Sequence, residues 1–274
     1  MVKQDKIKIC DAWNKPIHAD FFDGGANLPL RMLKKSYERT NEIYLFKNNQ
    51  APIQGKSFVE VGCATGELYR YLNAYYPRFK YYGFDISKAA INRAKKKYPR
   101  GNFFICNKDL SDIYDYCQTP AVLFARDVVL HQLEPFNFLM KLISIPKEAV
   151  ILRIRTRDRG ESVLDPELSC QWHYQEWVPY MILNIDEVID KIRKEVAFTS
   201  ILVLKNYQQL GGWNNRFLPK DCYYSETGTA ETSIFIKLAD KKIPNPFIAI
   251  QSKSDTYDFN IFEKIMISVY KKFG

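Results

Sequence analysis

The stretch Ser57 to Pro99, SFVEVGCATGELYRYLNAYYPRFKYYGFDISKAAINRAKKKYP, decides the class of this 274-residue chain. A short apolar run, Phe58, Val59 and Val61, leads into the turn Gly62-Cys63-Ala64-Thr65-Gly66. A helical pattern follows through Leu68, Tyr69, Leu72, Tyr75 and Tyr76. A second apolar run from Tyr81 to Phe84 ends on Asp85, 19 residues beyond Gly66. Strand, glycine turn, helix and acid-terminated strand, in that order, suit a nucleoside cofactor whose ribose hydroxyls meet a carboxylate about 20 residues past the turn.

The turn is wrong for a nicotinamide or flavin dinucleotide. Those need G-x-G-x-x-G so that a pyrophosphate can approach the backbone at a helix N-terminus. Here Ala64 replaces the middle glycine and no third one follows. Glu60, two residues before Gly62, suits a cationic ligand and repels a diphosphate. With its acid, its glycines and the second motif Gly83-Phe84-Asp85-Ile86-Ser87, the stretch resembles class I S-adenosylmethionine-dependent methyltransferases. The resemblance implies a doubly wound α/β fold with a seven-stranded, mostly parallel sheet, one antiparallel strand, and S-adenosylmethionine as cofactor. It covers about Lys56 to Asp240 and is specific only as far as Leu110.

Composition narrows the rest. The chain is 46% hydrophobic with 18 Tyr and 18 Phe, enough for a packed core. No apolar run reaches the roughly 20 residues of a membrane span, and the opening MVKQDKIKICDAW has no signal-like segment. Six cysteines (10, 63, 106, 117, 170 and 222) show neither C-x-x-C nor metal-ligand spacing, so reduced thiols in the cytoplasm are expected and no metal is. A net charge of +9 raises RNA, an anionic membrane surface or a phosphorylated substrate as partners, but the lysines are dispersed as on a solvated surface. Nucleic acid is therefore disfavoured against a small-molecule acceptor.

Along the chain, Ser87 is a plausible N-cap for a helix to about Tyr98, which Pro99 stops. Strands are expected at Asn102 to Cys106, Ala121 to Ala125, Ala149 to about Arg155, Phe198 to Tyr207 and Thr232 to Leu238, with helices at Pro135 to Ile143 and Ile185 to Lys194. Three parts are expected. By position, the resemblance implies that residues 1–55 are a helical cap and 56–240 the catalytic domain, with insertions 158–183 and 208–228 over the acceptor. Residues 241–274 form a tail broken from the sheet by Pro244 and Pro246, with Phe259, Phe262, Met266, Val269 and Phe273 striping a docked helix.

By resemblance, Gly62 and Gly66, with the Cys63 and Ala64 backbone, take the methionyl part of the cofactor. Glu60 holds its ammonium, Asp85 the ribose hydroxyls, and Ile86 lies against the adenine. Asp109 pairs with the adenine amino group, helped by the Leu110 backbone, and Arg126 faces the cofactor carboxylate; an exposed turn acid is the other reading of Asp109.

Both insertions leave from the carboxyl ends of strands, where ligands of a doubly wound sheet sit. Their Trp172, Tyr174, Trp177 and Trp213 suit a saccharide or another planar molecule. Arg153, Arg155, Arg157 and Arg159 share one face of an extended chain. Unpaired arginines cannot enter a covered sheet, so the strand is expected to end near Arg155 and to present Arg157 and Arg159 to an acceptor phosphate, or to surface salt bridges. A hydroxyl acceptor needs a base, and His173 and His131 are the candidates. The expected activity is O-methylation of a saccharide or nucleotide-linked sugar. The alternatives are an RNA or protein methyltransferase, or a non-catalytic nucleotide-binding domain.

Overall fold

The computed structural model describes residues 13, 15–23, 28–49, 55–173, 176–207, 216–223 and 228–253. Three helices open the chain: α1 (Pro16–Asp23), α2 (Leu30–Glu38) and α3 (Asn41–Asn49). Alternation then begins as expected: β1 (Ser57–Val61), α4 (Glu67–Tyr75), β2 (Lys80–Asp85), α5 (Lys88–Lys97), β3 (Asn102–Ile105), α6 (Ile113–Tyr116), β4 (Val122–Arg126), α7 (Pro135–Ser144) and β5 (Ala149–Arg157). The second half holds β6 (Cys170–His173), β7 (Glu176–Pro179), β8 (Leu183–Asn184), α8 (Ile185–Glu195), β9 (Phe198–Asn206), β10 (Arg216–Phe217), β11 (Ala230–Leu238) and β12 (Phe247–Ser252).

The main sheet runs β3-β2-β1-β4-β5-β11-β9-β12, with β8 added beside β5. Only β11 is reversed, pairing antiparallel with both β5 and β9. The order turns back at β1, so the chain leaves β1 and β4 in opposite directions and opens a crevice at their carboxyl ends. Side chains alternate across the sheet. Val59, Val61, Leu123, Ala125, Val150 and Leu152 bury one face with α7 and α8, while Phe58, Val122, Phe124 and Ile151 bury the other with α2 to α5.

Two expectations are corrected. The sheet has nine strands rather than seven, and the chain past Pro246 rejoins it: β12 lies parallel to β9, from Phe247 opposite Ser200 to Ser252 opposite Lys205. The apolar run Phe247-Ile248-Ala249-Ile250 fits the open edge of β9. Pro246 sits just before the strand, where its missing N–H costs no ladder bond. The helical stripe from Phe259 lies outside the described residues. Insertion 158–183 is also not a plain connection, because β6 and β7 pair antiparallel and β10 joins them in a second, three-stranded sheet. No helix among the described residues is long and apolar enough to cross a membrane.

Candidate active site

The glycine turn is stapled to the end of β2. The Gly62 and Cys63 amides both donate to the Phe84 carbonyl, at 2.8 and 3.1 Å. Asp85 closes the staple: Oδ2 accepts from the Ala64 amide at 2.9 Å and Oδ1 from the Ser87 amide at 2.8 Å. Ser87 in turn caps α5, its Oγ accepting from the Ala90 amide at 3.3 Å. Burial raises the Asp85 carboxyl, and these backbone bonds work against the rise. Gly62 and Gly66 adopt φ of 81° and 85°. A Cβ on Gly62 would stand 2.5 Å from the Val128 side chain, and one on Gly66 2.8 Å from the Phe103 ring. Both glycines are thus demanded by the turn's own packing as well as by any ligand's approach. Cys63 is buried there and burial pushes its thiol up, so it offers backbone and bulk rather than a thiolate.

Glu60 lies beneath the turn, 6% exposed, accepting a hydrogen bond from the Tyr81 hydroxyl. Burial pushes its carboxyl up to about 8 despite that bond and the nearby charge of Arg126. Arg126 is itself held, with Nε 3.4 Å from the Glu42 carboxylate and its guanidinium 5.7 Å from the centre of the Tyr37 ring. Ile86 is half-buried and packs against the core. Asp109 is exposed, and its carboxylate closes on Ser111, 3.2 Å from the amide and 2.9 Å from the hydroxyl; those bonds lower its pKa. Leu110, at φ 62°, is buried in the core.

The arginine row behaves differently from expectation. β5 continues through Arg157, and Arg153, Arg155 and Arg157 are all buried. The rule against burying unpaired guanidiniums holds, because each has partners from distant elements. Arg153 meets Asp127, Glu42 and Glu231; Arg155 meets Asp127 at 2.9 Å and Glu231 at 2.9 Å and donates to the Tyr180 hydroxyl at 2.9 Å. Arg157 pairs with Asp221, so it is not a rim residue. Arg159 is exposed. Burial opposes ionisation of Asp127, but Arg153 and Arg155 outweigh it and hold that carboxyl well below the usual range. Glu42 and Asp127 were not foreseen. Asp127 gave a faint signal, following the last residue of β4.

A second group of the expected site residues gathers around α1. The Phe22 carbonyl accepts from the Thr65 hydroxyl of the glycine turn at 3.2 Å. Asp23 pairs with Lys97 at 2.5 Å and Arg93 at 3.2 Å on α5, while Lys15 pairs with Glu176 on β7. The helix therefore ties the cofactor turn to the β6–β7 hairpin. All three histidines meet where it lands. Trp13 lies 4.8 Å from His131, 5.1 Å from His173 and 5.4 Å from His18, ring centre to ring centre. His131, in the 3₁₀ turn Val129–His131, stands 2.7 Å through Nδ1 from the Pro179 carbonyl. A carbonyl only accepts, so Nδ1 carries the proton and the Nε2 of the neutral ring keeps its lone pair. Burial pushes both His131 and His173 down to about 4. Trp172 and Trp177 face each other across the hairpin, 5.2 Å apart and edge-on, with Trp172 42% exposed. Tyr174 and Trp213 lie outside the described residues.

A family model described as "Methyltransferase domain" matches residues 59–130, from β1 through the turn before His131. Among solved structures the chain is similar to the O-methyltransferase from a trans-AT PKS multienzyme of Brevibacillus brevis in complex with S-adenosylhomocysteine, at 15% identity and a TM-score of 0.50, with 72% of each chain covered. It is also similar to the N-terminal domain of EvdMO1 in the presence of SAH and D-fucose, at 11% identity and a TM-score of 0.52 over 74% of this chain and 83% of that one. Such identities speak for the fold. No curated protein sequence matches the chain.

Proposed function

We propose that the chain is a class I S-adenosylmethionine-dependent methyltransferase, a reading supported by the match of residues 59–130 to a methyltransferase-domain model, and that it methylates a hydroxyl of a small molecule, a saccharide by preference. The observation that carries this reading is His131, a neutral imidazole with a fixed tautomer, in the turn after β4 whose Val128 packs against Gly62. The residues around the turn fit the cofactor. Two positive-φ glycines give the turn its tight path, Asp85 retains lone pairs beyond its backbone bonds, and Glu60 is a buried acid suited to an ammonium. The sulfonium supplies an activated methyl and a neutral leaving group when bound.

The chain's own residues have three tasks. The turn and Asp85 hold the donor in place. The strap α1 and the β6–β7 hairpin exclude water and bring the acceptor oxygen about 3 Å from the methyl carbon, where orientation supplies much of the rate. His131 Nε2 or His173 receives the hydroxyl proton as the oxygen–carbon bond forms. A saccharide is supported by the exposed Trp172 beside Trp177, and by the D-fucose named with the EvdMO1 domain. A phosphorylated or nucleotide-linked sugar is supported less, because Arg157 is already paired with Asp221.

Calorimetry with S-adenosylhomocysteine tests the class, and Asp85→Asn tests the site. The substitution keeps an acceptor for the Ala64 amide and should weaken binding by about 2 kcal/mol, some 30-fold. Unchanged affinity would remove Asp85 from the cofactor site. Formation of S-adenosylhomocysteine with D-fucose and related pyranoses tests the acceptor; turnover on bulk RNA but on no sugar would replace the saccharide reading.

A further inference from the structure

His18, His131 and His173 come from α1, from the turn after β4 and from β6, yet they share one cluster with Trp13. The tightest contact is between His18 and His173, whose ring centres lie 4.5 Å apart with 37° between their planes. His18 precedes Phe22 by one helical turn. About 6 Å of helix axis separates positions 18 and 22, and the Phe22 carbonyl touches the glycine turn. We propose that His18 is a positioning residue of the acceptor site: packed against His173, it fixes that ring, and the acceptor wall is complete only while α1 is docked. The acceptor role rests on the methyltransferase reading; the ring contact does not.

The surroundings of His173 fit this part. His18 packs against it from α1 and the charge of His131 reaches it from the turn after β4, while Glu176, opposite it on β7, is engaged by Lys15. Burial pushes His173 down to about 4, with His18 and His131 adding to the effect. Burial lowers His18 as well, opposed by Glu176 and aided by Lys15. An imidazole packed against His18 and Trp13 stays neutral and keeps one orientation. Removing the His18 ring admits water to His173 and takes away a like-charged neighbour, both of which favour protonation.

With only three histidines in the chain, each ring can be followed by NMR in the full-length protein during a pH titration. In His18→Ala the His173 midpoint should rise by about one unit or more toward the ordinary 6.5, with His131 unmoved and S-adenosylhomocysteine affinity within about threefold of wild type. His18→Phe keeps a ring packed against His173 and should hold it close to its wild-type midpoint, which guards against a general loosening in the alanine variant. A His173 midpoint that stays put in His18→Ala, or moves equally in His18→Phe, overturns the proposal. So does a tenfold loss of S-adenosylhomocysteine affinity without movement of His173, since α1 would then serve the cofactor alone. A wild-type chain that binds no S-adenosylhomocysteine fails the methyltransferase reading instead, while the coupling of the two rings is still read without ligand.

Discussion

A carboxyl held near 8 by burial, as Glu60 is, carries a proton at neutral pH. Its folded value lies above the ordinary one of 4.5, so the folded state resists the charge. Through this group the ligand-free protein loses stability as pH rises from about 4.5 to about 8, and no further above that. An ammonium seated against Glu60 reverses the preference, and binding at pH 7 should release a proton. Calorimetry of S-adenosylhomocysteine in buffers of different ionisation enthalpy is expected to show a release approaching one proton near pH 7, fading above pH ~9. Glu60→Gln should abolish the release, weaken binding by roughly tenfold or more and melt higher than wild type at pH ~9. A release that persists in Glu60→Gln assigns the proton elsewhere. The histidines give a second check. With His131 and His173 lowered to about 4, the rate should be flat from pH ~5.5 to ~8 and fall only in acid, instead of showing the limb near 6.5 expected from an ordinary imidazole. His131→Ala should lower turnover by ~100-fold with cofactor affinity kept; near-normal turnover would remove it from the mechanism.

Among the elements, the β6–β7 hairpin is where function and legibility part company. The first half of the chain announces itself, because glycines, an N-cap serine and apolar alternation each fix one local choice and all agree. β6 and β7 have four residues each, CQWH and EWVP, too short and mixed to show a period of two. β12 was hidden by Pro244 and Pro246, which read as a stop although the apolar run after them finds an edge. What the sequence does supply is the aromatic density of the insertion, and the structure sets Trp172 partly in solvent on the β6–β7 hairpin. Trp172→Ala should therefore lower kcat/KM for the acceptor by about tenfold or more and leave the melting temperature within ~2 °C. Trp177→Ala, half-buried against it, should cost both activity and stability. Lowered melting with unaltered kinetics in both variants would make the pair packing and nothing else.

Across the whole molecule, one buried ionic network joins elements far apart in the chain. Arg126, Arg153 and Arg155 face Glu42, Asp127 and Glu231, three charges of each sign drawn from α3, β4, β5 and β11 and the turn after β4. The arginine spacing on β5 was readable, but the acids that permit its burial were not. Glu42 lies 111 residues from Arg153 and no local pattern marks it. Register completes the fit: Arg155 stands opposite Glu231, and Arg153 opposite Ser233, whose hydroxyl donates to Glu42 at 3.2 Å. Breaking such a set leaves an uncompensated buried charge, which costs about 3–5 kcal/mol, whereas its net worth against apolar packing is small. Glu42→Ala should accordingly lower the unfolding free energy read from urea denaturation by that amount, with the slope unchanged. A change under ~0.5 kcal/mol would show the network to be solvated. Asp127 adds a pH signature. Its carboxyl is held below the ordinary value of 3.8, so its contribution is present above that value and is lost only as pH falls through the folded one. The stability gap between wild type and Asp127→Asn should stay constant from pH ~8 to ~5 and narrow below pH ~4, read from urea unfolding at each pH. A gap that narrows already between pH 7 and 5 would mean that another group, with a raised pKa, holds the arginines in place.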